Sequence, residues 1–405
     1  MSSPRQLGLT SATALVVANM IGTGVFTTSG FLLADLKSPW TVLAVWLVGG
    51  LVAMLGALSY GALARRIPES GGEYMFLSRT LHPLAGNIAG WVSLVVGFSA
   101  PLAAAAFAFG AYAKPWLPGW PPQAAGTLLV LAFTALHAAH VQRGVWVQNA
   151  AVVLKVVLIG FFVAFGFTRL RLQEATGAPS SPVSDFAISL IWVSFSYSGW
   201  NAAIYIGGEI RDPERNLPLS LLLGAGVVTL LYVALNTVFV FATAPTELAG
   251  KLEVGQIAAR ALGGPALATW VTALVALVLI SSVSSLIMAG PRVYARMAED
   301  GYLPRWLAAS EGRPPRASIA LQSTLALILL WSATYERLLT WIGFTLSLST
   351  AATVVGLIVL RRREGPQLRV VGWPWVPVLF LLFVLFMTGF TLWRGIGDLL
   401  KTLLP

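Results

Sequence analysis

The sequence predicts an all-α polytopic membrane protein: an inverted-repeat, five-plus-five helix core with helices one and six broken, and eleven transmembrane helices in all. Three observations predict it. Hydrophobic residues make up 57% of the chain and charged residues 10%, where a soluble protein carries about 25% charged. Apolar stretches of about 20 residues, the length that crosses a bilayer, recur along the whole chain. Two of them, the first and the sixth, are interrupted at their centres by small and hydroxyl residues. Interrupted spans in matching positions of two halves point to an inverted repeat with a binding site at the midplane.

The apolar stretches fall near 8–34, 39–64, 83–112, 124–140, 145–168, 184–209, 217–242, 265–295, 316–332, 338–360 and 374–394. They make one transmembrane domain over 1–405, with a first repeat at 8–168, a second at 184–360 and an additional helix at 374–394. Too few residues follow for a twelfth span. The first apolar stretch is too long for a cleavable signal. Each half holds an odd number of spans, so the two halves enter from opposite sides. Of the 26 basic residues, 16 lie in alternate loops, at Arg5, Arg65, Arg66, Arg79, Arg143, Arg211, Arg215, the run from Arg292 to Arg316, and Arg361-Arg362-Arg363 with Arg369. The excess of positive charge predicts a cytoplasmic N-terminus in a multi-pass protein of the cell inner (cytoplasmic) membrane. The loops are too short for a soluble domain.

Composition narrows the function. The net charge of +10 sits in these short loops, so it faces lipid headgroups rather than nucleic acid. Cysteine is absent. There is therefore no disulfide, no thiolate metal site and no cysteine nucleophile. His82, His137 and His140 are too few and too near helix ends to hold a metal, and no cofactor motif is present. An intramembrane enzyme finds no support: there is no H-E-x-x-H, no paired intramembrane aspartates and no convincing serine–histidine pair. No phosphate-binding loop points to a primary pump.

The chemistry lies at the interruptions. The first runs Asn19-Met20-Ile21-Gly22-Thr23-Gly24-Val25-Phe26, the second Phe195-Ser196-Tyr197-Ser198-Gly199-Trp200-Asn201. Glycines in a span are either close helix contacts or true breaks whose freed backbone groups find partners. A broken helix exposes N–H groups at one half-helix start and carbonyls at the other half-helix end. The former favour a carboxylate and the latter an ammonium. Two crossed breaks hold a zwitterion without any charged side chain, which points to an amino acid. Gly22, Thr23 and Gly24 would admit the carboxylate; carbonyls near Phe195, Tyr197 and Ser198 would take the amino group. Phe195 reads either as packing or as a gate. Lys155 lies mid-way along the fifth span, where a charge costs about 2.5–3.5 kcal/mol. It is either a pin donating to carbonyls and hydroxyls or a fixed or titrating cation near the first break. In Ser281-Ser282-Val283-Ser284-Ser285 some serines are helix contacts, and others partner Lys155 or line the path.

These residues also form a known pattern. Gly22-Thr23-Gly24-Val25-Phe26 resembles the G-S-G-[IV]-F signature in the first helix of the amino acid–polyamine–organocation (APC) superfamily. Ile67-Pro68-Glu69-Ser70-Gly71-Gly72-Glu73-Tyr74 resembles its P-x-S-G-G-x-Y loop. Phe195 to Asn201 is similar to the F-A-Y-G-G-W-N of its L-amino acid transporter branch, and Asp212-Pro213-Glu214-Arg215-Asn216-Leu217-Pro218 to the N-P-x-R-N-[IL]-P that follows. Arg292-Val293-Tyr294 and Asp300-Gly301-Tyr302-Leu303-Pro304 resemble the loop after helix eight.

The resemblance implies the LeuT-like ten-helix fold shared with sodium-coupled neurotransmitter transporters, and L-amino acid transport by alternating access. Carried over, it implies that Ile21, Gly22, Thr23, Gly24 and Val25 bind the carboxylate. Phe195, Ser196, Tyr197 and Ser198, with Gly199 and Asn201, complete the substrate site, and Phe195 is its gate. Lys155, with Ser281 and Ser282, takes the place of a sodium ion, which implies sodium independence. The usual twelfth helix is missing, and Ser284 and Ser285 stand where the branch has Asn-Gly. Eukaryotic members join a heavy chain through a cysteine; without cysteine this chain has no such disulfide-linked partner. The expected partners are the bilayer and a small-molecule substrate, an L-amino acid. Because no acidic residue is expected near either break, that amino acid reads as neutral. Exchange and proton symport both remain open. So do an amino-acid sensor that does not transport and an exchanger of cationic amino acids or polyamines.

Overall fold

The computed structural model describes residues 7–69, 71–139, 143–170, 182–308 and 314–403. Among them the chain is helical between its loops, with one isolated bridge. Seven helices are long and apolar enough to cross a membrane, or eight if a bent pair counts as one span. The protein is thus an all-α polytopic membrane protein.

The bent pair is α1 (Leu9–Met20) and α2 (Gly24–Leu36), which meet at 43°. Next comes α3 (Pro39–Arg66). Its start is fixed by Pro39 and by Ser38, whose hydroxyl accepts the Thr41 N–H at 3.3 Å, because a side-chain cap and a proline both suit the first turn. The loop after it holds a short helix, α4 (Gly72–Thr80), which hydropathy alone does not reveal. The third expected span is continuous but irregular: α5 (Pro83–Val92), a π-helical turn over Ser93–Ser99, then α6 (Ala100–Tyr112). Ser99 Oγ donates to the Leu94 carbonyl at 2.7 Å, satisfying a backbone group in the widened turn.

The chain continues through α7 (Pro122–Ala139), α8 (Arg143–Phe167) and α9 (Val183–Tyr197), a 3-10 turn over Ala202–Glu209, and α10 (Pro213–Phe241). After a four-residue α11 (Pro245–Leu248), α12 spans Val254–Glu299. It is two helices joined at a kink at Gly263 and Gly264, where Gly264 takes φ 72°. The expected boundary at 265 marks that kink. Then follow α13 (Arg316–Ser332), α14 (Tyr335–Glu364) and α15 (Trp375–Leu403). The last helix runs nine residues beyond the expected 394.

Packing sets the site. The central pair is α3 with α10, drawn close where Gly50 meets Thr229; small residues let membrane helices approach. Against it lie α1, which packs on α10, and α9, which packs on α3. Around these, α6 packs on α12 and α7 on α13, while α6 also meets α13 and α12 meets α7. The start of α1 and the end of the sixth segment share one face of the bundle: Arg211 N–H donates to the Leu7 carbonyl at 2.9 Å. We call it the N-terminal face. Leu128, Val157, Phe161, Leu230 and Leu385 are exposed around the bundle, as suits a protein whose outer solvent is lipid.

Candidate functional site

The first break has a clear local cause. After Met20 the backbone leaves the helix at Ile21 (φ −74°, ψ 88°) and resumes at Gly24. The carbonyls it frees are taken by side chains from elsewhere. Lys155 Nζ donates to the carbonyls of Ala18 and Ile21, both at 2.9 Å. Tyr232 OH donates to the Met20 carbonyl at 2.5 Å. In a buried site such partners are required, because an unsatisfied polar group there costs about 1–3 kcal/mol. On the other side, α2 begins with the first-turn N–H groups that no helix satisfies internally. They carry the positive end of its dipole.

The second break begins at Ser198 (ψ 147°) and Gly199 (φ 97°), before the 3-10 turn starts at Ala202. Gly199 serves two needs. Its φ is in the left-handed region, and a Cβ there would lie 2.8 Å from the Asn19 carbonyl. Gly24 is likewise pressed against Ser196, into which a Cβ would collide. The two breaks are therefore in direct contact, each through a glycine of one against the backbone or side chain of the other.

A cavity of about 80 Å³ lies between them, lined by Gly22, Thr23, Gly24, Phe195, Ser196, Ser198 and Ser282, with Pro101 and Ala105 of α6 and Leu286 of α12 among its other walls. It adjoins a cavity of about 920 Å³, lined by Asn19, Tyr197, Ser198, Gly199 and Asn201 near the breaks and by Leu7, Glu69 and Arg292 at the N-terminal face. On the opposite side, Phe31, Phe107, Trp192 and Tyr335 pack ring on ring, with centroids 5.7–6.1 Å apart. The large cavity thus extends from the breaks toward the N-terminal face, and the aromatic cluster lies on the other side of the breaks.

Most expected residues are brought together here, with some differences. Ile21 and Val25 have fully buried side chains, so they offer only backbone. Ser281 and Ser282 hydroxyls donate to the carbonyl of Val278 in their own helix, not to Lys155. Lys155 thus pins α8 to the first break by carbonyls alone. Tyr197 OH donates to the Trp46 carbonyl at 2.9 Å, its ring tilted in the core against Trp46 and Tyr232.

Sequence reasoning missed two groups. Tyr232 gave no signal, being one tyrosine in an apolar helix. Glu73 is also missed, and it corrects an expectation: an acidic residue does stand at a break. Its carboxylate is buried and accepts from Asn201 Nδ2, from Tyr205 OH at 2.6 Å and from Tyr60 OH at 3.2 Å. Its signal was a carboxylate within a glycine-rich motif of a chain poor in charge. Among the described residues no group of three or more His, Cys, Asp or Glu side chains is placed to hold a metal.

Known proteins resemble the chain over nearly its whole length. The family described as amino acid permease matches residues 7–398. Large neutral amino acids transporter small subunit 2 of Homo sapiens is 28% identical over 417 residues, covering 97% of this chain and 78% of that protein. Asc-type amino acid transporter 1 of Mus musculus is 29% identical, covering 96% and 76%. The b(0,+)-type amino acid transporter 1 of Mus musculus is 28% identical, covering 95% and 82%.

Proposed function

The chain belongs to the amino acid permease family, and on that premise we propose that it transports neutral L-amino acids across the cytoplasmic membrane by alternating access, without sodium. It is a transporter rather than an enzyme. The observation that carries the reading is the contact of the two helix breaks around one small cavity, beside the large cavity that extends toward the N-terminal face. A zwitterion set there meets the N–H groups at the start of α2 and the carbonyls at the end of α9.

We read the fold as eleven spans with a five-plus-five inverted core. The packing supports it. Advancing each partner by five spans, around the ten-span cycle, turns α1 on α10 into α9 on α3, and α6 on α13 into α12 on α7. The first segment starts on the face where the sixth ends, as inversion requires. We take the N-terminal face as cytoplasmic, since its loops hold the excess arginine. The molecule is then open inward, with the Phe31–Tyr335 cluster as the closed outer side.

Sodium independence rests on Lys155, whose amine already donates to the Ala18 and Ile21 carbonyls at the first break. A second reading, transport of cationic amino acids, is favoured by Glu73 on the wall of the large cavity. Its oxygens already accept three donors, so it is poorly free to receive a substrate cation, and the neutral reading stands ahead. The test is uptake of a panel of labelled neutral and cationic amino acids into proteoliposomes, with and without internal amino acid, sodium and a pH gradient. Sodium-free uptake of neutral species is expected. Uptake confined to cationic species, or sodium-dependent uptake, would overturn it. Binding without flux would make the protein a sensor.

A further inference from the structure

Glu73 does more than fill space. It stands in the first turn of α4, after Gly71 (φ 136°) and Gly72 (φ 60°), and Gly72 is pressed on the Tyr205 ring. From there its carboxylate ties three elements: Tyr60 of α3, its own α4, and Asn201 with Tyr205 around the start of the 3-10 turn. Tyr60 also packs on Trp200 edge-on, with centroids 4.7 Å apart. The carboxylate thus grips the chain directly after Gly199.

An ionised carboxylate only accepts hydrogen bonds, whereas an asparagine amide has a donor end and an acceptor end. Facing Glu73, Asn201 must present its nitrogen. Asn201 also lines the large cavity beside Ser198 and Gly199. With its nitrogen committed, what it has left to offer is its carbonyl oxygen, an acceptor suited to an ammonium. We propose that Glu73 is a positioning residue for substrate recognition: by holding the Asn201 amide nitrogen it makes the Asn201 oxygen an acceptor for the substrate's amino group. This rests on the reading above that the cavity takes an amino acid.

The test measures affinity of the purified full-length protein in detergent for L-alanine and L-leucine and for their α-hydroxy analogues, by ligand-induced thermal stabilisation. Wild type should prefer the amines. Glu73→Gln, whose amide faces Asn201 in either orientation, should weaken amine binding by about tenfold, the worth of a charge-assisted bond. The hydroxy analogues should change little. Glu73→Asp, which keeps an acceptor-only group, should restore much of the preference. In an Asn201→Ala background, Glu73→Gln should have no further effect, whereas a general loss of negative charge would act in either background. Equal weakening of amines and hydroxy analogues, or additive effects of the two substitutions, would overturn the proposal. If Glu73→Gln fails to fold, Asn201→Ala alone decides, since an unchanged amine preference there is fatal. Wild type that binds no amino acid removes the transport reading and this proposal together. Wild type that binds, with variants indifferent to the amine, removes this proposal alone.

Discussion

The two helix breaks touch each other, yet they are held in different ways. At the first, the freed carbonyls of Ala18, Met20 and Ile21 are all taken by side chains, Lys155 and Tyr232. At the second, the turn at Ser198 and Gly199 lines the large cavity, and its fixed point is a side chain, Asn201, bound to Glu73. One break has a lysine side chain within it and the other a glutamate beside it. The first is thus locked at its carbonyl end, which leaves its N–H end for a ligand. At the second, the Phe195 carbonyl accepts the Ser198 N–H at 2.9 Å, and Ser198 and Gly199 themselves line the large cavity. The difference teaches that two backbone breaks of similar sequence character need not be equivalent. What separates them is which polar ends their neighbours leave unclaimed.

Substitutions at four positions break or sharpen that comparison. The largest effect is expected at the glycine contact. Gly24→Leu drives a side chain into Ser196 and fills the space between the breaks, so substrate binding should be abolished. Thermal stabilisation by amino acids checks it, and near-normal affinity in a folded variant would defeat the shared site.

Next comes Lys155→Ala, which strips the partner from two carbonyls at the first break, each costing about 1–3 kcal/mol when left unsatisfied. Affinity or closure should be lost while the second break stays intact. Flux measured against pH, with and without sodium, then separates two roles. A fixed strut predicts wild-type flux with little pH dependence. A proton-coupling lysine predicts acid-stimulated uptake that disappears in the variant. Sodium-stimulated uptake in wild type would defeat both.

Phe195→Ala acts at the second break. Phe195 is buried on the wall of the small cavity. If it closes over substrate, transport should slow several-fold more than binding weakens, because closure is a conformational step. Equal, mild effects on binding and on uptake rate would return Phe195 to a packing role.

The smallest effect is expected from Tyr232→Phe, which removes one hydroxyl from the Met20 carbonyl and keeps the ring packed against Trp46 and Tyr197. A loss of about 1 kcal/mol, some fivefold in affinity, follows from one buried hydrogen bond. It should fall on carboxylate recognition: the affinities for an amino acid and its amide should draw together. An equal loss for both would place the hydroxyl's role in stability alone.

The fold class, the helix segments, both breaks and Lys155 were legible in the sequence, because each is a local departure from a simple rule. Twenty apolar residues announce a span. Gly-Thr-Gly at a span's centre, or a lysine at mid-depth, violates what a lipid-facing helix tolerates. The π-helical turn at Ser93–Ser99 and the short α4 were not legible. Both are decided by how neighbouring segments crowd, and neither departs from hydropathy in a way that marks it.

Only the tertiary structure decided the partners. Lys155 meets Ile21 from 134 positions away, Tyr232 meets Met20 from 212, and Glu73 meets Asn201 from 128. Hydropathy states that a polar group in a span must be satisfied. It does not state by which group, since hydrogen-bond partners are selected by direction and distances of a few ångströms. That is why Ser281 and Ser282 of α12 read in sequence as partners of Lys155, and in the fold turn back to the Val278 carbonyl of their own helix. It is also why Glu73, a loop residue by sequence, stands in the fold at the wall of the site.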